Sequence, residues 1–230
     1  MKSIDVFCIF PEAVDATLRV DVVGRAIERG VVGYRSFDLR QFSRDGRIDD
    51  MPYGGGAGMV VRADVVARAF EEVYGVPARE VRETRRVVLT EPAGRPMAQG
   101  YVAEISSGPD LTVVCGRYGG VDERVWAGLS TEAVSLGYFV LSGGEIVAAA
   151  LADAVGRRLD GVLGNRESLV GESFTGEGVV GPPMYTRPKL WDGEAVPGVL
   201  LSGNHAEIRA WRERESLGRA RARESGRRSS

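Results

Sequence analysis

The sequence predicts an α/β fold built on a mostly parallel sheet, followed by a small helical domain. Three observations predict it. Short β-branched runs alternate with helical patterns, glycine-rich turns stand at the ends of several runs, and an arginine-dense helical segment follows a glycine- and proline-marked stretch. Residues 3–10 read as a buried strand that ends at Pro11. A helical pattern over residues 22–29, closed by Gly30, precedes a second strand over 34–39. Residues 40–62 form a polar, glycine-rich loop, longer than a simple connection needs. Beyond it the pattern predicts a helix over 63–74, a strand over 86–90, a helix over 97–106, strands over 111–115 and 133–136, and a helix over 144–159. Val147, Leu151, Val155 and Leu159 recur every four residues, so this last helix carries one apolar stripe, with Asp153 and Arg157 together on another face. The expected organisation is a first domain over 1–160, a linker over 161–181 and a small helical domain over 182–230. In the last of these Asn204 can cap a helix, and Glu207 stands in capping-box position.

The 230 residues are 43% hydrophobic and 27% charged, a mix that can bury a core. With 30 basic and 32 acidic residues the net charge is −2, which argues against a protein that coats nucleic acid or an anionic membrane through global positive charge and leaves a local patch open. The charge is uneven: residues 205–230 carry +4 and the preceding 204 residues carry −6. Only Lys2 and Lys189 are lysine, against 28 arginines. Two readings of that excess stay open, a GC-rich coding bias with a solvated helix face, or a small module that contacts nucleic acid. Cys8 and Cys115 lie in apolar runs, as buried inert thiols do. The N-terminus lacks a signal-peptide pattern, and no apolar run approaches the ~18 residues that span a bilayer. The expectation is a cytoplasmic protein with no membrane partner. One histidine, His205, and no paired cysteines leave a zinc site without soft ligands and a Ser-His-Asp triad with a single candidate base, so no metal site is expected.

Three glycine-rich segments can carry chemistry. Pro52-Tyr53-Gly54-Gly55-Gly56-Ala57-Gly58-Met59 lacks the Lys-Ser/Thr of a P-loop; it is either a surface loop or a place where backbone N–H groups approach a ligand or a flat base. Cys115-Gly116-Arg117-Tyr118-Gly119-Gly120-Val121-Asp122-Glu123-Arg124 follows a strand directly, and residues 135–145, from Ser135 through Gly143-Gly144 to Glu145, run from a strand into a helix. Two such strand-end turns with apolar residues between them can wrap an adenosine-sized ligand.

In this order, with Tyr185-Thr186-Arg187-Pro188 and residues 200–207 downstream, the set resembles the bacterial tRNA (guanine-N1)-methyltransferases that act at position 37, of the SPOUT class. The resemblance runs from Ile4 to Arg219 through five collinear motifs. It implies a C-terminal deep trefoil knot in the parallel sheet, a homodimer with the active site at its interface, S-adenosylmethionine held in the knot, and a tRNA substrate with guanosine at positions 36 and 37. On that resemblance the first domain is the knotted, cofactor-binding catalytic domain and the last one binds tRNA. The cofactor pocket would comprise Leu89, Thr90, Glu91, Pro92, Gly116, Tyr118, Leu136, Gly137, Tyr138, Phe139, Val140, Leu141, Gly143 and Gly144. The target guanine would be flipped out and gripped between the 52–59 loop, with Tyr53, Gly54, Gly55, Gly56 and Gly58, and residues 165–175, including Ser173; His205 and Arg209 would also contact the RNA. Arg157 would orient the cofactor or stabilise charge on the base, and the resemblance leaves open whether Mg²⁺ assists.

Neutral guanine carries a proton on N1, so that nitrogen becomes nucleophilic only when a base takes the proton while donors stabilise charge moving to O6. Glu172 stands where the family has this base. Three residues depart from the family pattern: Glu172 replaces the usual aspartate, Gly119 stands where a glutamate often meets the cofactor's amino group, and Tyr138 replaces a frequent aspartate. The competing readings are another knotted RNA methyltransferase acting at a different base or at ribose, and a tRNA-binding protein without turnover.

Overall fold

A computed structural model of the chain describes residues 1–164, 172–174 and 179–227. The chain divides into two compact units, Met1–Gly164 and Asn165–Ser230. The first unit opens with strand β1 (Lys2–Cys8), helices α1 (Pro11–Leu18) and α2 (Asp21–Glu28), and strand β2 (Val32–Asp38). A short ladder of β3 (Asp49–Asp50) and β4 (Val60–Val61) follows, then helices α3 (Ala63–Tyr74) and α4 (Val81–Thr84) and strand β5 (Arg85–Pro96). Helix α5 (Gln99–Ser107), strand β6 (Asp110–Cys115), helix α6 (Glu123–Gly128), strand β7 (Glu132–Ser135) and helix α7 (Glu145–Gly156) complete it.

The main sheet has the order β2-β1-β6-β5-β7, and every neighbouring pair is parallel. Strand alternation sends side chains to two buried layers. Ile4, Val6 and Cys8 of β1, Leu111 and Val113 of β6 and Val134 of β7 pack with α1, α5 and α7. Phe7, Val87, Leu89, Val114 and Ala133 face the other way, onto Val65, Val66 and Phe70 of α3 and Val125 of α6. The apolar stripe of α7 is broader than the four-residue repeat predicts, because Ala148, Ala149 and Ala152 are buried beside Val147, Leu151 and Val155. Cys8 and Cys115 are both free and buried, and burial pushes the Cys115 thiol well above its ordinary value.

Several elements differ from the sequence-based expectation. Residues 11–18 form a helix where only the strand-ending proline was expected; Pro11 stands in the first turn, where its missing N–H costs nothing, and Val14 and Leu18 supply the buried face. The 40–62 loop is partly ordered by a 3₁₀ turn at Leu39–Phe42 and by the β3–β4 ladder. Arg62 holds it, pairing at 2.8 Å with both Asp45 and Asp64. Helix α6, not anticipated, starts where the Asp122 carboxylate accepts the Arg124 N–H at 2.9 Å.

The second unit contains a hairpin of β8 (Leu190–Trp191) and β9 (Glu194–Ala195), a 3₁₀ turn at Gly198–Leu201 and helix α8 (His205–Arg227). The hairpin turn is Asp192-Gly193, with φ of 49° and 81°, the pattern that a two-residue turn between right-twisted strands requires. Asn204 caps α8 as expected: its Oδ1 accepts the N–H groups of Ala206 at 3.2 Å and Glu207 at 3.4 Å. At the expected linker's start, Val162 is buried in the first unit's core, and that unit runs to Gly164.

Candidate active site

Strands β5, β6 and β7 end side by side at the carboxyl edge of the parallel sheet, where α/β sheets bind ligands. The edge is opened by β5 itself. Both Thr90 and Arg95 register with Val134, so residues 91–94 bulge out of the ladder and put Glu91 and Pro92 on the rim. The result is a cavity of about 270 Å³. Its walls are apolar at Val134, Leu136, Phe139, Val140, Leu141 and Val147, and polar at Ser135, Ser142 and Glu91, the carboxylate of the lining.

The floor is a close meeting of backbones. The Gly116 N–H donates to Thr90 Oγ1 at 2.9 Å, and the Gly144 N–H donates to the Gly116 carbonyl at 2.8 Å. A Cβ on Gly144 would lie 1.9 Å from Thr90 Oγ1, so the chain can enter α7 here only as glycine. Residues 116–120 are fixed from the other side by the 52–59 loop's own stem. The Gly119 N–H donates to the Met59 carbonyl at 2.7 Å, and Val61 donates to the Gly120 carbonyl at 3.0 Å. A Cβ on Gly119 would meet that Met59 oxygen at 2.9 Å. Between them Tyr118 takes a φ of 59°, an uncommon conformation for a side-chain-bearing residue. Arg117, also in the lining, stacks over the Phe10 ring at 4.4 Å and donates to Glu145 at 3.2 Å. Glu145 is only 5% exposed, and its Oε1 has no hydrogen-bond partner among the described residues.

Of the residues expected to hold a cofactor, the structure brings Thr90, Glu91, Pro92, Gly116, Tyr118, Leu136, Phe139, Val140, Leu141, Gly143 and Gly144 into this one lining. Leu89 is not there: strand alternation turns it to the opposite face of the sheet, where it is buried against the α3 layer. Gly137 lies behind the Phe139 ring, which a Cβ would meet at 2.9 Å, and Tyr138 projects wholly into solvent, 100% exposed. Tyr53, Gly54, Gly55, Gly56 and Gly58 form an exposed loop tip whose four glycines all have positive φ. Arg157 closes α7, its N–H donating to the Asp153 carbonyl at 2.9 Å. Burial raises the Asp153 carboxyl above its ordinary value, and the positive charge of Arg157 partly offsets that.

Glu172, Ser173, His205 and Arg209 belong to the second unit. Ser173 Oγ accepts the Gly181 N–H at 2.9 Å, His205 begins α8 and Arg209 is exposed on it. The remaining residues of the expected 165–175 clamp, 165–171 and 175, lie outside the described residues. Among the described residues no group of three His, Cys, Asp or Glu side chains could hold a metal ion. No described helix is long and apolar enough to cross a membrane.

A family model described as tRNA (Guanine-1)-methyltransferase TrmD matches residues 1–226. The chain belongs to this family. The tRNA (guanine-N(1)-)-methyltransferase of Cereibacter sphaeroides (strain KD131) is 46% identical over 211 residues, covering 90% of this chain and 84% of the relative. That of Rhodopseudomonas palustris (strain TIE-1) is 46% identical over 220 residues, with 94% and 86% covered. That of Geotalea uraniireducens is 43% identical over 220 residues, with 95% and 87% covered.

In this TrmD-family chain the lining includes Gly119, which the resemblance marks as a departure at a cofactor position, and residues that were not expected as cofactor contacts: Arg117, Gly120, Val134, Ser135, Ser142 and Val147. A signal existed for two of them. Val134 follows the inward period of its strand, and Val147 lies three residues after Gly144, one helical turn into α7.

Proposed function

We propose that this chain transfers a methyl group from S-adenosylmethionine to N1 of guanosine 37 in tRNA, as a homodimer whose sheet carries a deep trefoil knot. The observation that carries the reading is the cavity where three parallel strand ends meet, with its glycine floor and apolar walls, in a chain of the TrmD family. The residues fit the cofactor: apolar walls suit a purine, a main-chain floor supplies donors and acceptors, and the Glu91 carboxylate suits an amino group. When bound, S-adenosylmethionine supplies a methyl group on a positively charged sulfur. The exposed side chains of Tyr138 and Val140 on the cavity's outer strap support a partner subunit at this edge.

In this reading the loop 52–59 closes over an extruded guanine, helped by Ser173 from the linker over 161–181, while His205 and Arg209 hold the tRNA backbone to the domain over 182–230. Glu172 accepts the N1 proton, so that the N1 lone pair is free to form the new N–C bond as the S–C bond breaks. Arg157 holds the negative charge that develops on the base. Gly119 leaves no glutamate at its position, and Glu91 supplies the acidic side chain of the pocket instead.

Labelled methyl groups are expected to enter tRNA transcripts carrying guanosine at 36 and 37, with the label mapping to N1 of guanosine 37. Replacing Glu172 with alanine is expected to lower the rate by about 100-fold or more, as loss of a general base does, with cofactor affinity retained. Undiminished transfer by that variant would remove Glu172 from the mechanism, and label at another base or at ribose would redirect the assignment.

A further inference from the structure

The second unit holds a cavity of about 350 Å³ that plays no part in the chemistry above. It opens between the stretch before β8, the 3₁₀ turn at Gly198–Leu201 and the first turns of α8. Leu201 and Ile208 are among its apolar lining, and Tyr185 forms one wall, its ring 6.2 Å from that of Trp211. Three cations, Arg187, Lys189 and Arg212, line it as well, and no carboxylate does.

These cations differ from many arginines of the first unit. Arg35, Arg62, Arg85 and Arg86 each hold an acidic partner. The side chains of Arg187, Lys189 and Arg212 have no ion pair or hydrogen bond among the described residues. Like charges gathered round a small concavity repel one another, and an incoming anion removes that repulsion. A phosphate alone would not need the aromatic wall and the apolar floor, and an acidic peptide would not need a flat ring. A nucleotide uses all three, its phosphate among the cations and its base against the ring and the aliphatic side chains.

We propose that this cavity is a second nucleotide subsite, which takes an unpaired nucleotide of the RNA substrate other than the reacting guanosine. The proposal rests on the RNA-substrate reading above. It assigns the phosphate to Arg187, Lys189 and Arg212 and the base to Tyr185, Leu201 and Ile208.

The test uses the full chain and an unmodified tRNA transcript with guanosine at 36 and 37. Fluorescence anisotropy measures the dissociation constant as a function of salt for Arg187→Gln/Arg212→Gln, for Tyr185→Ala and for Tyr185→Phe. The arginine pair is expected to weaken binding about tenfold or more and to flatten the dependence of log K on log salt by up to about one unit, the share of the single phosphate they hold. Tyr185→Ala is expected to weaken binding about tenfold with the salt slope unchanged, and Tyr185→Phe to restore it. Affinity for S-adenosylmethionine stays as in the parent chain for all three. An unchanged dissociation constant in either the arginine or the alanine variant overturns the subsite, as does an acidic peptide binding there more tightly than RNA. Parent protein that binds tRNA with these losses in the variants but transfers no methyl group would sink the proposed activity and leave the subsite standing.

Discussion

At the scale of single residues, two carboxylates have opposite fates. Glu91 is the acidic side chain of the cavity lining, placed on the rim by the bulge in β5. If it meets the cofactor's amino group, Glu91→Gln loses one charge-assisted hydrogen bond, so the dissociation constant for S-adenosylmethionine should rise about tenfold, near the low end for such bonds, while tRNA affinity holds; calorimetry reads both. Asp5 is 0% exposed in the middle of the sheet. It accepts from Arg35 at 2.8 and 2.9 Å, pairs with Arg85 at 2.9 Å and takes the Tyr74 hydroxyl at 3.0 Å. Burial, with the negative charge of Asp5 adding, pushes the Tyr74 phenol above its ordinary value. Asp5→Ala removes the group that these donors share, and thermal or urea unfolding should show a loss of about 3 kcal/mol, the cost of breaking a buried pair from one side. Nothing in the sequence marked Asp5, because its partners stand in β2, α3 and β5, and Leu89 was expected in the cavity on the family resemblance, whereas strand alternation turns its side chain to the opposite face.

At the scale of elements, local chemistry was most legible where the signal is short-range. The Asn204 cap and the run of α8 behind it were predicted and found, although the other half of the cap differs: Ser202 Oγ, and not Glu207, accepts the Asn204 N–H, at 3.1 Å. Asn204→Ala should cost about 1 kcal/mol, read as faster amide exchange in the first turn of α8, and Asn204→Asp should restore it. Helix α1 and the β8–β9 hairpin were missed although their signals, Pro11 at a helix start and Asp192-Gly193 between short extended runs, are also local. Both were masked by a stronger neighbouring feature, the end of β1 in one case and a run of prolines in the other.

At the scale of the whole molecule, the charge count acquires a location. The −6 portion contains the whole sheet with its paired arginines, whereas α8 carries Arg209, Arg214 and Arg221 with no ion pair among the described residues. If these bind the RNA backbone, replacing all three with glutamine should weaken tRNA binding and lower its salt slope by up to about three units, with cofactor affinity unchanged. Equal tRNA affinity before and after would return the arginine excess to coding bias.

By itself the sequence determined the alternation of strands and helices, the apolar faces, the cap of α8 and the glycine turns, because propensity, periodicity and turn chemistry act within a few residues of one another. The motifs in their order also determined the family. Only the tertiary structure decided which glycine turns share a cavity, that Leu89, expected there with Glu91, faces away from it, that Gly119 has a carbonyl where a side chain would stand, and that three cations with no ion pair among the described residues line one cavity near α8. Each depends on strand register or on chain segments far apart in sequence, and long-range contacts leave no periodic trace in one chain.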